Sequence, residues 1–226
     1  MRFSGYIFDV EGTLVDSVQQ NVLCLQEALA QFGVLVSYEV LQLYSGLDGD
    51  QTLQLVAEEL DHTQRKRVLE VKAKLYEAKY LPSVKAFPDV REVFETLRNQ
   101  GGRIALATDC KGTALKRYLS LLNVEGLIES MACGDDVEHG KPDPKLVGLA
   151  LRKLGVSAGQ AVMIGDTPYD AEAGLGAGTA AAGLLTGGFA REALIKAGCF
   201  AVAAEIGDLL ACLEKGSPHV QPVARS

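Results

Sequence analysis

Short apolar runs alternate along the chain with longer stretches in which apolar positions recur every three or four residues. The short runs predict strands at Gly5–Asp9, Arg103–Thr108, Ala161–Gly165, Ala180–Leu185 and Cys199–Ala203. The longer stretches predict helices at Val90–Gln100, Thr113–Leu122, Pro144–Leu154, Tyr169–Ala177, Ala190–Ala197 and Ile206–Leu213. Apolar strands separated by amphipathic helices mark a parallel sheet covered on both faces, and the intervals suit right-handed crossovers. The expected fold class is α/β.

From Ser17 to Pro82 helical periodicity continues without a clear strand. Val18, Val22, Leu25, Leu29 and Phe32 fall at helix spacing, and further runs follow at Val40–Leu43, Leu53–Leu60 and Val68–Leu81. This predicts an inserted bundle of about four helices. The expected division is an α/β core from residues 1–16 and 83–213, a helical cap at 17–82, and a polar, flexible tail at 214–226. The insertion follows the first strand immediately, so the cap would sit over that strand's carboxyl end.

Composition narrows the function classes. A chain of 226 residues is long enough for a proper core, as one large domain or a domain with a smaller one inserted. The formal charge of -7, from 22 basic and 29 acidic residues, argues against a general nucleic-acid binder. Cys24, Cys110, Cys133, Cys199 and Cys212 are odd in number and lack CxxC spacing, as expected of reduced thiols that pack in a core. No apolar run approaches the ~20 residues of a membrane span. Met1–Ser4 leads directly into the first strand without a signal-peptide pattern, so a cytoplasmic location is expected.

Ligands of open parallel sheets bind beyond the carboxyl ends of the strands, so the residues there are read together. Asp9 and Glu11 follow the first strand, two residues apart and thus on one face of an extended chain. Like charges so close need a cation, a shared proton or a reaction intermediate to compensate them. Thr108, Asp109 and Cys110 follow the second strand, Lys141 lies in Gly140-Lys141-Pro142-Asp143-Pro144, and Asp166 and Asp170 lie in Gly165-Asp166-Thr167-Pro168-Tyr169-Asp170. Singly, each has an ordinary explanation: a solvated turn acid, a helix cap, a surface charge, an acid favoured in a first helical turn. Chance does not readily set all of them at successive strand ends of one sheet.

Phosphoryl transfer through an aspartyl-phosphate unites them. A carboxylate attacks phosphorus only when the charge on both partners is offset, which a divalent cation such as Mg²⁺ and a nearby lysine provide. Asp9 would be the nucleophile, and it would share the cation with Asp166 and Asp170. Thr108 and the helix-opening amides after it would donate to phosphoryl oxygens, and Lys141 would balance charge and orient Asp9. Glu11 would protonate the leaving alcohol and later take a proton from water.

With these motifs in this order, the chain resembles the haloacid dehalogenase-like hydrolase superfamily over nearly its whole length. Its insertion resembles the cap of the subgroup containing phosphoglycolate phosphatase and beta-phosphoglucomutase. The resemblance implies a Rossmann-like parallel sheet core with an inserted helical cap domain. It implies a Mg²⁺ site made by Asp9, the backbone carbonyl of Glu11 and Asp166, with Asp170 ligating directly or through water. It places Asp9, Glu11 and Lys141 in catalysis and Thr108, Asp109 and Lys141 around the phosphate. Two residues depart from the family pattern: Glu11 stands where Asp is usual, and Asp109 where an uncharged residue is common. A carboxylate repels phosphate, so Asp109 is expected to face away or meet a donor on the substrate. Dehalogenating members have a non-acidic residue at the Glu11 position, and phosphonatase-type members a small one with a Schiff-base lysine in the cap. Despite the cap lysines Lys66, Lys72, Lys74 and Lys79, Glu11 argues against both branches.

Substrate choice is expected to come from the cap loop Tyr44-Ser45-Gly46-Leu47-Asp48-Gly49-Asp50, with Tyr44, Gly46 and Asp48 as the candidate specificity residues and a plain structural turn as the alternative for Gly46 and Gly49. The leading expectation is a Mg²⁺-dependent phosphatase, monomeric or homodimeric, acting on a small phosphorylated metabolite and on neither nucleic acid nor membrane. A phosphomutase using the same aspartyl-phosphate and a catalytically weak binding protein are the alternatives.

Overall fold

A computed structural model describes residues 3–216. Its main sheet has six parallel strands, in spatial order Ser130–Ala132 (β5), Arg103–Ala107 (β4), Gly5–Phe8 (β1), Ala161–Gly165 (β6), Ala180–Leu184 (β7) and Ala201–Ala203 (β8). From β1 the chain builds outward to β4 and β5, then returns to β6 on the other side of β1. This reversal makes the carboxyl ends of β1, β4 and β6 the place where a ligand is expected.

Strand side chains alternate between two apolar layers. Tyr6, Phe8, Ile104, Leu106, Val162 and Ile164 pack with Val93, Phe94 and Leu97 of α5 (Val90–Asn99) and with Leu115, Tyr118 and Leu122 of α6 (Gly112–Leu122). Ile7, Ala105, Ala107 and Met163 face Leu146, Ala150 and Leu154 of α7 (Lys145–Leu154). The sheet's second half is covered by α8 (Pro168–Gly176) and α9 (Arg191–Lys196), and the described chain closes with α10 (Leu209–Lys215).

Between β1 and α5 lie α1 (Val18–Ala30), α2 (Tyr38–Leu43), α3 (Gly49–Val56) and α4 (His62–Leu75), four helices where the periodicity predicts about four. They share an apolar centre of Val22, Leu25, Leu29, Leu41, Leu53 and Val68. A π-helical turn at Tyr76–Tyr80 and a 3₁₀ turn at Leu81–Ser83 return the chain toward the sheet. There a two-stranded antiparallel ribbon, β2 (Val15–Asp16) with β3 (Lys85–Ala86), ties the segment's entry to its exit.

The differences from expectation are local. β2, β3 and β5 are too short to show a period. α3 runs Gly49–Val56 rather than Leu53–Leu60, because Asp48 accepts from the amides of Asp50 and Gln51 and caps its start, and α4 starts at His62 rather than Val68, behind the capping box of Asp61. The last helix runs to Lys215, so Glu214 and Lys215 are helical rather than part of a tail, and 217–226 lie outside the described residues. All five cysteines are free thiols; burial pushes Cys24 up to about 11 and Cys199 to about 12, as for inert packing residues. No helix among the described residues is long and apolar enough to cross a membrane.

Candidate active site

β1, β4 and β6 each end one residue before a polar side chain: Asp9, Thr108 and Asp166 respectively. Ladder bonds continued past the strand ends hold two of them, the Asp9 amide donating to Ile164 O (2.9 Å) and the Thr108 amide to Ala132 O (3.1 Å). Ten polar or charged side chains are buried among the described residues. Seven of them, Asp9, Thr13, Thr108, Lys141, Asp166, Thr167 and Asp170, belong to these strand ends and the segments beside them. Buried polar groups are rare without a partner or a purpose, so this is where chemistry is to be sought.

Carboxylate oxygens of Asp9, Asp166 and Asp170 all lie within 4.8 Å of one another. Lys141 Nζ lies 2.7 Å from Asp9 Oδ1 and 2.6 Å from Asp170 Oδ1. Within the trio, this one ammonium pairs with Asp9 and Asp170, and Asp166 has no ion pair among the described residues. Burial, reinforced by the Asp170 charge and opposed by Lys141, pushes the Asp9 carboxyl up to about 7. Burial and the neighbouring charges of Asp170 and Asp9 raise Asp166 well above the ordinary carboxylate range. Burial alone would lower Lys141, but the surrounding carboxylates hold it well above its ordinary value, so it stays charged. Three hard oxygen donors with uncompensated charge are what a hard divalent cation takes. The residues present fit such an ion.

Neighbouring side chains fix the carboxylates. Thr13 donates to Asp166 Oδ1 (2.6 Å). Thr167 closes a capping box at the start of α8 with Asp170, and both its amide (3.0 Å) and its hydroxyl (2.7 Å) donate to Asp170 Oδ2. Backbone approaches Asp166 so closely that a Cβ on Gly12, itself at φ 82°, or on Gly187 would lie 2.3 or 2.1 Å from its Oδ2. The Thr108 hydroxyl accepts from the Cys110 amide (3.4 Å), which leaves its own hydrogen to donate.

Asp109 turns to the lysine loop. Its carboxylate accepts from the Lys141 amide (3.1 Å), and its Oδ2 lies 3.7 Å from Lys141 Nζ. Burial pushes it up to about 6. Of the amides opening α6, that of Gly112 donates to Asp135 (2.9 Å) rather than into the site. The Glu11 carboxylate is held by the Tyr118 hydroxyl (2.6 Å) and the Asn21 amide (3.0 Å). Tyr118 and Asn21 are invisible to motif reading, because a tyrosine in the stripe Leu115, Tyr118, Leu122 counts as core. The available signal is that a buried phenol needs a hydrogen-bond partner.

The loop between α2 and α3 lies against Thr167, beside Asp170. A Cβ on Gly46 (φ 85°) would meet Thr167 Cγ2 at 2.6 Å, and Tyr169 Oη donates to Leu43 O (3.3 Å). Tyr44 closes α2, its amide donating to Leu41 O (3.2 Å), and the Asp48 carboxylate accepts from the Asp50 and Gln51 amides at the start of α3. Asp50 pairs with Arg65 (2.9 Å). Among the cap lysines, Lys79 pairs with Glu27 (2.6 Å).

Residues 6–184 match the family described as haloacid dehalogenase-like hydrolase. The chain belongs to that family and is a hydrolase of the phosphatase kind. It is 31% identical over 182 residues to a phosphoglycolate phosphatase of Aquifex aeolicus, across 80% of this chain and 84% of that protein. It is 27% identical over 197 residues to the pyrophosphatase PpaX of Bacillus velezensis, across 81% and 83% of the two chains. A crystal structure of a hydrolase from Pseudomonas syringae superposes with a TM-score of 0.87 at 31% identity, covering 95% of this chain and all of that one.

Proposed function

We propose that the enzyme is a Mg²⁺-dependent phosphatase that hydrolyses a small phosphorylated metabolite, a sugar, polyol or 2-hydroxy acid phosphate, through a phosphoryl group carried on Asp9. The observation that carries this reading is the buried trio Asp9, Asp166 and Asp170 set against the single ammonium of Lys141.

Asp9, Asp166 and Asp170, with the Glu11 backbone carbonyl, would hold the cation, which when bound offsets the charge that otherwise sets a carboxylate against a phosphoryl group. Thr13 and Thr167 keep Asp166 and Asp170 turned toward it. A carboxylate oxygen of Asp9 attacks phosphorus while the bond from phosphorus to the alcohol oxygen breaks. Glu11 gives its proton to that oxygen. Thr108 donates its hydroxyl hydrogen to a phosphoryl oxygen, and Lys141 neutralises the developing charge. Asp109 serves the phosphate through its backbone, its side chain anchoring the Lys141 loop. In the second half, Glu11 takes a proton from water, the water oxygen attacks phosphorus, and the bond to Asp9 breaks to release inorganic phosphate.

Residues 17–82 act as a cap on a core of 1–16 and 83–213, with Tyr44, Gly46 and Asp48 meeting the leaving group. The enzyme works in the cytoplasm as a monomer or homodimer, with no nucleic-acid or membrane partner. The test is phosphate release from a panel of phosphomonoesters with Mg²⁺, for wild type and Asp9→Asn. Release by wild type and its loss in Asp9→Asn are expected. Full activity in Asp9→Asn would overturn the assignment, and isomerisation with little release would replace the phosphatase by a phosphomutase.

A further inference from the structure

Glu11 is gripped from two sides. Tyr118 on α6 donates to Oε1 (2.6 Å), and Asn21 on α1 donates to the same oxygen (3.0 Å). A tyrosine has one O–H, and that of Tyr118 goes to Glu11. The 2.6 Å contact between Tyr76 and Tyr118 hydroxyls is therefore a bond that Tyr76 donates. Asn21 Nδ2 also reaches Tyr76 Oη (3.4 Å). The result is a directed chain, Tyr76 to Tyr118 to Glu11, with no spare proton. Burial and the Glu11 charge hold both phenols well above their ordinary range, so both remain donors.

Oε2 of Glu11 accepts no hydrogen bond from the described residues. A carboxylic acid whose Oε1 is already occupied by two donors carries its proton on Oε2. The Tyr118 ring is wholly buried on the sheet side of α6 and so presents a fixed anchor. An aspartate would end about 1.5 Å short of it, one carbon–carbon bond.

We propose that Tyr118, seconded by Tyr76 and Asn21, is the positioning residue of the proton carrier, holding Oε1 of Glu11 so that Oε2 exchanges the proton with the leaving alcohol and with water. This rests on the reading of Glu11 as acid and base. It also gives a role to the departure from the usual aspartate: the longer side chain spans from the nucleophile's strand end to the tyrosine pair.

The experiment compares kcat/KM, which reports the steps through transfer to Asp9, for two esters. One is the alkyl ester of the panel with the highest kcat/KM, whose alkoxide needs a proton. The other is 2,4-dinitrophenyl phosphate, whose phenolate leaves without one. Tyr118→Phe, which keeps the ring, is expected to lower the alkyl value roughly 10- to 100-fold, a share of what acid catalysis supplies, and the dinitrophenyl value by less than about twofold. It adds nothing to the loss caused by Glu11→Gln, since the two act as a unit. Equal losses on both esters, or a further loss of the same size in the double variant, would overturn the proposal. If Glu11→Gln itself leaves the alkyl ester unaffected, the acid–base reading has failed and the proposal goes with it. Should Tyr118→Phe not fold, Tyr76→Phe gives the same split between the esters at smaller size, and no split there rejects the proposal.

Discussion

The carboxylates of Asp9, Asp166 and Asp170, once ionised, carry more negative charge than the one ammonium of Lys141 offsets, and the residues nearest this imbalance give the sharpest predictions. Gly187 lies against Asp166, where an added Cβ would come within 2.1 Å of Oδ2. Gly187→Ala is expected to swing that carboxylate away and to raise the Mg²⁺ concentration for half-maximal activity about tenfold, the usual scale for disturbing a ligand's support. An unchanged Mg²⁺ titration would remove Asp166 from the metal site. Asp109 makes a prediction in pH. Burial pushes its carboxyl from 3.8 to about 6, although Lys141 draws it down. The folded state thus holds this proton more tightly than the unfolded chain does, so its contribution to stability is fully present below 3.8 and is lost as pH climbs through 6. Asp109→Asn, which keeps an oxygen for the Lys141 amide, is therefore expected to gain in melting temperature relative to wild type as pH rises from 4 to 6; a constant difference would contradict the assignment. At this scale Asp9, Thr108, Lys141, Asp166 and Asp170 are readable from sequence, because each is a polar residue beside an apolar strand or at a helix entry. Tyr118 and Asn21 are not, because contacts across 107 and 10 residues are made by folding and leave no spacing to detect.

Among the elements, α8 bears most on the site. Its first turn carries Asp170, its N-cap is Thr167, and the loop between α2 and α3 rests on that same threonine through Gly46. Thr167→Val keeps the shape and removes the hydroxyl that is both the cap acceptor and one of the two donors to Asp170. It is expected to lower unfolding stability by about 1–2 kcal/mol in a denaturant titration, the cost of losing a strong cap. A loss near zero would mean that Thr167 holds neither the helix start nor the carboxylate. The main strands and most helices follow from periodicity, which long buried runs display strongly. β5 does not, because a three-residue edge strand offers no period, and neither does the β2–β3 ribbon. The start of α3 is set by its capping side chain, Asp48, rather than by apolar spacing.

At the scale of the whole molecule, two of the places where the helical segment meets the core bear on the site. One is the loop on α8; the other is Glu11, held by Asn21 from the helical segment and Tyr118 from the core side. The proposed proton carrier Glu11 and the proposed metal ligand Asp170 thus both sit where the two parts touch, which suits a site that must exclude water during transfer and admit it afterwards. The central claim is that the phosphoryl group passes through Asp9. Its most direct test is to quench the enzyme in acid during turnover with Mg²⁺ and its best ester, reduce with borohydride, and map the product by mass spectrometry. An acyl phosphate on Asp9 would be reduced to homoserine at position 9, in wild type and only with substrate present. Turnover with an unmodified Asp9, or with homoserine appearing at another carboxylate, would contradict the account.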